Sequence, residues 1–233
     1  PEITSFSITP SGWTKESVSV GVHVDGDYVD YVTYTDQKGG THTASYSGGI
    51  YYATISEYAP SGRYTFSAVD LAGNKFTKTL TQDVKIDKDA PTLSIVKYTD
   101  GKNDVVPGTT WLTGNQKVYA VVKAEDKNDD KPQSGIDEDS FSLDEKKADI
   151  IKDGDNYRIE LSDPTKVSEI TVKDNAENSS KVKTEAFSVD STAPVQSDIQ
   201  VVFSPTETLA GKFLNALSFG LYYNESKEQK YYE

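Results

Sequence analysis

The chain has 233 residues, a formal net charge of −13, 26% charged residues, and neither cysteine nor methionine. That acidity disfavours nucleic acid, whose phosphates are bound by clustered Lys and Arg. It also disfavours adsorption to anionic lipid, and with no transmembrane run in the sequence no membrane insertion is expected. The missing thiols exclude a disulfide scaffold, a cysteine nucleophile and Cys-ligated zinc.

The chain opens on a strand pattern. Val18, Val20, Val22 and Val24 alternate with Ser19, Gly21 and His23, as a half-buried strand requires. Gly26-Asp27 turns the chain into a strand over 28–35. Gly39-Gly40 leads to one over 41–46, Ser47-Gly48-Gly49 to one over 50–55, and Tyr64, Phe66 and Ala68 mark another before 76–86. Turns every eight to twelve residues, with no long helical period, predict an all-β sandwich. A second set follows the same plan. Trp111 and 117–124 mirror Trp13 and 18–24, and 149–152, the turn 153–156 and 157–161 form a hairpin. Tyr157, Ile159 and Leu161 stand where Tyr51, Ala53 and Ile55 stood, and Ile170 and Val172 replace Phe66 and Ala68.

A closing phrase occurs twice. Asp70-Leu-Ala-Gly-Asn74 and Asp87-Lys-Asp-Ala-Pro91 recur as Asp174-Asn-Ala-Glu-Asn178 and Asp190-Ser-Thr-Ala-Pro194, at offsets of 174 − 70 = 104 and 194 − 91 = 103. A period near one domain length predicts tandem modules: 1–90, 91–193, and the start of a third over 194–233. Proline biases the preceding alanine toward extended backbone, and Asp87 and Asp190 can accept bonds from nearby amides. The junction therefore reads as a short, semi-rigid hinge rather than a Gly/Ser linker. In the remainder, Ser204-Pro205-Thr206-Glu207 reads as a capped helix start, and Leu209, Phe213, Leu217 and Leu221 form an apolar stripe. That short amphipathic helix is expected to dock on its own incomplete module or a neighbour. The lack of an initiating methionine, with a third Pro-led start at Pro194, suggests a segment cut from an array.

The 69–74 element followed by Asp87–Pro91 resembles the Ig-like repeats of large bacterial, notably Gram-positive, surface proteins. The second copy matches less cleanly because Glu177 replaces the usual glycine. Ser134-Gly135-Ile136 and the segment 211–220 are similar to further elements of such repeats. The resemblance implies tandem Ig-like β-sandwiches on an extracellular protein, at the bacterial surface or secreted. It implies as partners adjacent modules of the same chain, and a host or cell-wall glycan or protein. Its motifs are structural and imply no catalytic residue. Some surface Ig-like domains also carry a Lys–Asn or Lys–Asp isopeptide crosslink, but nothing in the sequence picks out the residues for one.

Catalysis finds little support. His23 and His42 are the two histidines, and both are expected on the surface, so no catalytic residue is assigned and no enzyme is expected. No organic cofactor is implied. Calcium is the sharper candidate: Asp126, Asn128 and Asp130 alternate oxygen side chains, and Asp137 follows a Pro-containing loop. The spacing is not that of an EF-hand, and an acidic solvated loop is the competing reading. Tyr28 and Tyr34 are candidates for stacking on sugars, against cross-strand packing. Two functions are thus carried forward: a non-catalytic structural or adhesive region that spaces or presents other domains, and a glycan-binding accessory region of a secreted polysaccharide-degrading enzyme.

Overall fold

The computed structural model describes residues 1–128 and 131–194. Pro1–Ser191 form one compact unit and Thr192–Glu233 fall in a second. The expected third module and its helix lie outside the described residues.

The first eight strands are β1 (Glu2–Thr9), β2 (Val18–Asp25), β3 (Val29–Thr35), β4 (Thr41–Thr43), β5 (Ser45–Ser47), β6 (Ile50–Ile55), β7 (Thr65–Asp70) and β8 (Lys75–Thr79). They form two antiparallel sheets, β1-β2-β6-β5 and β4-β3-β7-β8. Alternation explains why the sheets pack. Val18, Val20 and Val22 on β2, with Ala53 and Ile55 on β6, meet Val32, Phe66 and Ala68 from the other sheet in one buried cluster. The expected strand over 41–46 is two strands in different sheets. Ala44, buried between them, donates its N–H to the Val32 carbonyl at 2.8 Å and carries the chain across. The expected strand over 76–86 ends at Thr79. Beyond it, Val84 bridges Ala59 and Ile86 bridges Thr14.

The second set comprises β9 (Thr92–Thr99), β10 (Asp104–Val105), β11 (Trp111–Leu112), β12 (Tyr119–Glu125) and β13 (Ile136–Leu143). It continues with β14 (Lys146–Lys147), β15 (Ile150–Asp153), β16 (Asn156–Glu160), β17 (Glu169–Asp174), β18 (Ser179–Lys183) and β19 (Ser188–Val189). Its sheets, β10-β9-β12-β16-β15 and β14-β13-β17-β18, repeat the first order with β10 added at one edge, and enclose their own cluster around Val122, Phe141, Ile159, Ile170 and Val172. A small parallel pair, β11-β19, matches the Thr14–Ile86 bridge. In both sets the first, second and next-to-last hairpin strands share a sheet facing the third and the final pair. That is the strand order of an immunoglobulin-type sandwich. The described part of the chain is all-β.

The repeated phrase has one physical form. Asp70 Oδ1 accepts from the Ala72 and Asn74 amides at 2.9 and 2.8 Å, and Asp174 Oδ1 accepts from Ala176 and Asn178 at 2.8 Å each. Asn74 and Asn178 each donate a side-chain amide back to the aspartate at 2.8 Å. Further on, the Asp87 and Asp190 amides donate to Thr14 and Leu112, both at 2.9 Å. The phrase is thus a turn closed by its aspartate, followed by a strap that returns along the sandwich edge.

Candidate functional site

The last strap of the first sandwich enters the loops of the second. The Asp87 carboxylate accepts from its own Asp89 amide at 3.1 Å and from the Ser134 amide at 2.8 Å. The Asp87 carbonyl accepts from Asn178 Nδ2 at 3.0 Å, and Lys15 Nζ donates to the Glu177 carbonyl at 3.0 Å. Ser180 Oγ also donates to the Pro91 carbonyl. The junction is therefore hydrogen-bonded on both sides.

These contacts gather charge. Carboxylate oxygens of Asp87, Asp126 and Asp174 all lie within 4.8 Å of one another. Asp87 is 3% exposed and Asp174 1%. Two unit charges that close repel by about 3 kcal/mol at an effective dielectric near 20. Burial foremost, and then the charges of Asp87 and Asp174, push the Asp126 carboxyl above its ordinary value, against the opposing Gly135 N–H at 2.6 Å. Turning the side-chain amide of the neighbouring Gln133 over would let its nitrogen donate to both Asp87 carboxylate oxygens, at 2.9 and 3.1 Å. Three acidic oxygen donors with no histidine or cysteine among them suit a hard cation such as calcium, and not zinc.

The sequence candidates fare unequally. Asp126 belongs to the cluster. Asn128 lies beside it, where its Nδ2 donates to Asp89 Oδ2 at 3.0 Å and, as the largest cause, holds the Asp89 carboxyl below its usual range. Asp137 sits on β13, accepting from the Asp139 amide at 3.0 Å, outside the trio. Asp130 lies outside the described residues. Asp87 and Asp174 were not singled out as ligands, although both stand in the repeated phrase.

The tyrosine pair does not converge. Tyr28 is 78% exposed in the turn before β3, with φ of 58°. Tyr34, near the other end of β3, packs on the core and is stacked by His42 at 5.0 Å between ring centroids. A register shift between Val29 and Tyr31 breaks the alternation that had grouped Tyr28 with Tyr34. His42 bonds Asp36 at 2.7 Å and, with the Gly40 amide, lowers that carboxyl's pKa. His23 is half-buried beside Ser7 at 3.4 Å. Among the described residues no lysine is buried, so no core lysine is placed to form an isopeptide.

No family model and no curated protein matches the chain. Among solved structures it is similar to the fibronectin(III)-like modules of Clostridium thermocellum CbhA, with a TM-score of 0.42 and 15% identity over 84% of this chain and 100% of that one. It is also similar to murine CEACAM1b, with a TM-score of 0.38 and 10% identity over 80% of this chain and 99% of that one. The sandwich assignment itself rests on the strand order and the two cores described above.

Proposed function

We propose that this chain is a non-catalytic structural region of a bacterial surface or secreted protein, made of Ig-like modules that hold other domains at a defined spacing. The observation that supports this reading is the junction: the strap leaving one sandwich places Asp87 against Asp126 and Asp174 of the next. Calcium bound by these three carboxylates would offset two of their three charges and fix the joint between modules, so that reach and direction would be set by the protein rather than by a loose linker. The expected partners are neighbouring modules of the same chain.

Calcium titration followed by calorimetric unfolding tests it. Extracellular modules bind calcium with dissociation constants of about 0.1–1 mM. At tenfold excess over such a constant, binding linkage stabilises by about 1.4 kcal/mol, roughly 6–11 °C for a module of this size. The expected result is that rise in the native chain and its loss in Asp87→Asn, which keeps an acceptor for Ser134. An unchanged melting temperature at millimolar calcium would overturn the cation-fixed joint.

A further inference from the structure

The sheet β4-β3-β7-β8 turns one face to the core and the other outward. His42, Tyr34, Phe66 and Lys78 form one inner rank, as paired residues across the four strands. The positions on either side of that rank that point away from the core are all hydroxyls, exposed on the edge strands at Thr41, Thr43, Thr77 and Thr79, half-buried at Thr33, Thr35 and Thr65, and buried at Ser67. One outer rank reads Thr41, Thr35, Thr65, Thr79. The next reads Thr43, Thr33, Ser67, Thr77. Their hydroxyls touch in places, Thr65 to Thr79 and Ser67 to Thr77, both at 3.3 Å.

Threonine favours strands, so a solvent face could collect some of it by propensity alone. The second sandwich argues against that explanation. Its equivalent sheet, β14-β13-β17-β18, carries Asp137, Glu169, Lys173, Lys181 and Lys183 at outward positions, and Lys181 pairs with Glu169 at 2.6 Å. The same fold therefore accepts charges on this face. In a chain that is 26% charged, the first sandwich keeps eight neighbouring positions free of them.

We propose that this hydroxyl face binds a neutral polysaccharide chain. Each Ser or Thr hydroxyl both donates and accepts, and strands about 4.8 Å apart with same-face residues about 6.7 Å apart set them in a regular grid. Charge selects the class of partner. A net charge of −13 repels anionic polymers, and a cationic polymer would seek carboxylates that the two ranks lack. Tyr31, 42% exposed and next on the same face of β3, offers a ring for stacking at the border of the grid. Sheet twist, roughly 20–25° between neighbouring strands, suits a single flexible chain better than a flat crystal lattice such as ice. The inference goes beyond the spacer reading and needs neither calcium nor the Tyr28 and Tyr34 candidates.

Affinity electrophoresis of the full chain through soluble xyloglucan, mixed-linkage β-glucan and starch, with pull-down on microcrystalline cellulose, tests it. Hyaluronan serves as the anionic control. The variant Thr33→Val/Thr35→Val/Thr77→Val/Thr79→Val keeps the β-branched shape and removes four hydroxyls. A second variant, Thr77→Lys/Thr79→Lys, changes only exposed positions on the edge strand and covers the case in which the first fails to fold. Retention is expected on at least one neutral polymer, at least tenfold weaker in either folded variant, and unchanged in Lys181→Ala of the second sandwich. The proposal is overturned by no retention on any neutral polymer, by undiminished retention of the variants, by preference for hyaluronan, or by ice shaping without polysaccharide retention.

Discussion

Glu177 holds a backbone conformation that its own sequence neighbour-by-repeat leaves to glycine. Its φ is 68°, and Gly73, at the same place in the first copy, has φ of 84°. The left-handed region costs an L-residue about 1–2 kcal/mol. Replacing it by glycine removes that strain and adds unfolded-state entropy worth about 0.4–1 kcal/mol the other way. Glu177→Gly should therefore stabilise the second sandwich by about 0.5–1 kcal/mol, or roughly 3–5 °C in melting temperature. The Lys15 bond goes to the Glu177 carbonyl and survives the change. Gly73→Glu is the reverse experiment. A Cβ built on Gly73 meets nothing within 4 Å, so the substitution tests backbone strain without a clash. Differential scanning calorimetry, with hydrogen exchange to assign transitions to each sandwich, should show a gain for the first variant and a loss for the second. A Glu177→Gly protein no more stable than the parent would refute the strain argument.

Other outcomes follow from single side chains. Tyr64 is pushed up to about 12, by burial first and then by Asp36, Glu57 and Tyr34. Because its folded pKa lies above the unfolded value of 10.0, its contribution to stability is complete below pH 10 and is lost as pH rises toward 12. Ultraviolet titration should lose its last tyrosinate step in Tyr64→Phe. Trp13 stacks on Tyr58 with rings 6.1 Å apart, whereas Trp111 is 67% exposed. Acrylamide should consequently quench Trp111 in Trp13→Phe more strongly than Trp13 in Trp111→Phe. Asp174→Ala strands the Ala176 and Asn178 amides in a buried turn. It should destabilise the second sandwich by about 1–3 kcal/mol, read in urea unfolding with calcium present.

The strands were legible where alternation alone decides burial: Val18, Val20 and Val22 are fully buried, and Tyr157, Ile159 and Leu161 line the second core. Alternation failed where one residue changes the parity. The shift between Val29 and Tyr31 freed Tyr28 from the face that holds Tyr34, and Ala44 moved half of an expected strand into the opposite sheet. Trp111 mirrors Trp13 in sequence, yet Ser162 stands where Pro60 and Pro164 would align Tyr58, so its ring has no stacking partner of that kind. The acidic site was half legible. Asp126 stood out because oxygen side chains alternate beside it, but Asp87 and Asp174 reach it only through pairing between distant segments. Their presence in the repeated phrase was the available signal. The phrase marked a junction, and the junction proved to be where the carboxylates meet.

A calcium ion held by Asp87, Asp126 and Asp174, as proposed, would fix one sandwich against the next. Residual dipolar couplings from amides of both sandwiches test it most directly, in millimolar calcium and then in chelator. Both sandwiches should share one alignment tensor with calcium, and should show separate tensors in chelator and in Asp87→Asn. Couplings that are identical with and without calcium would contradict it.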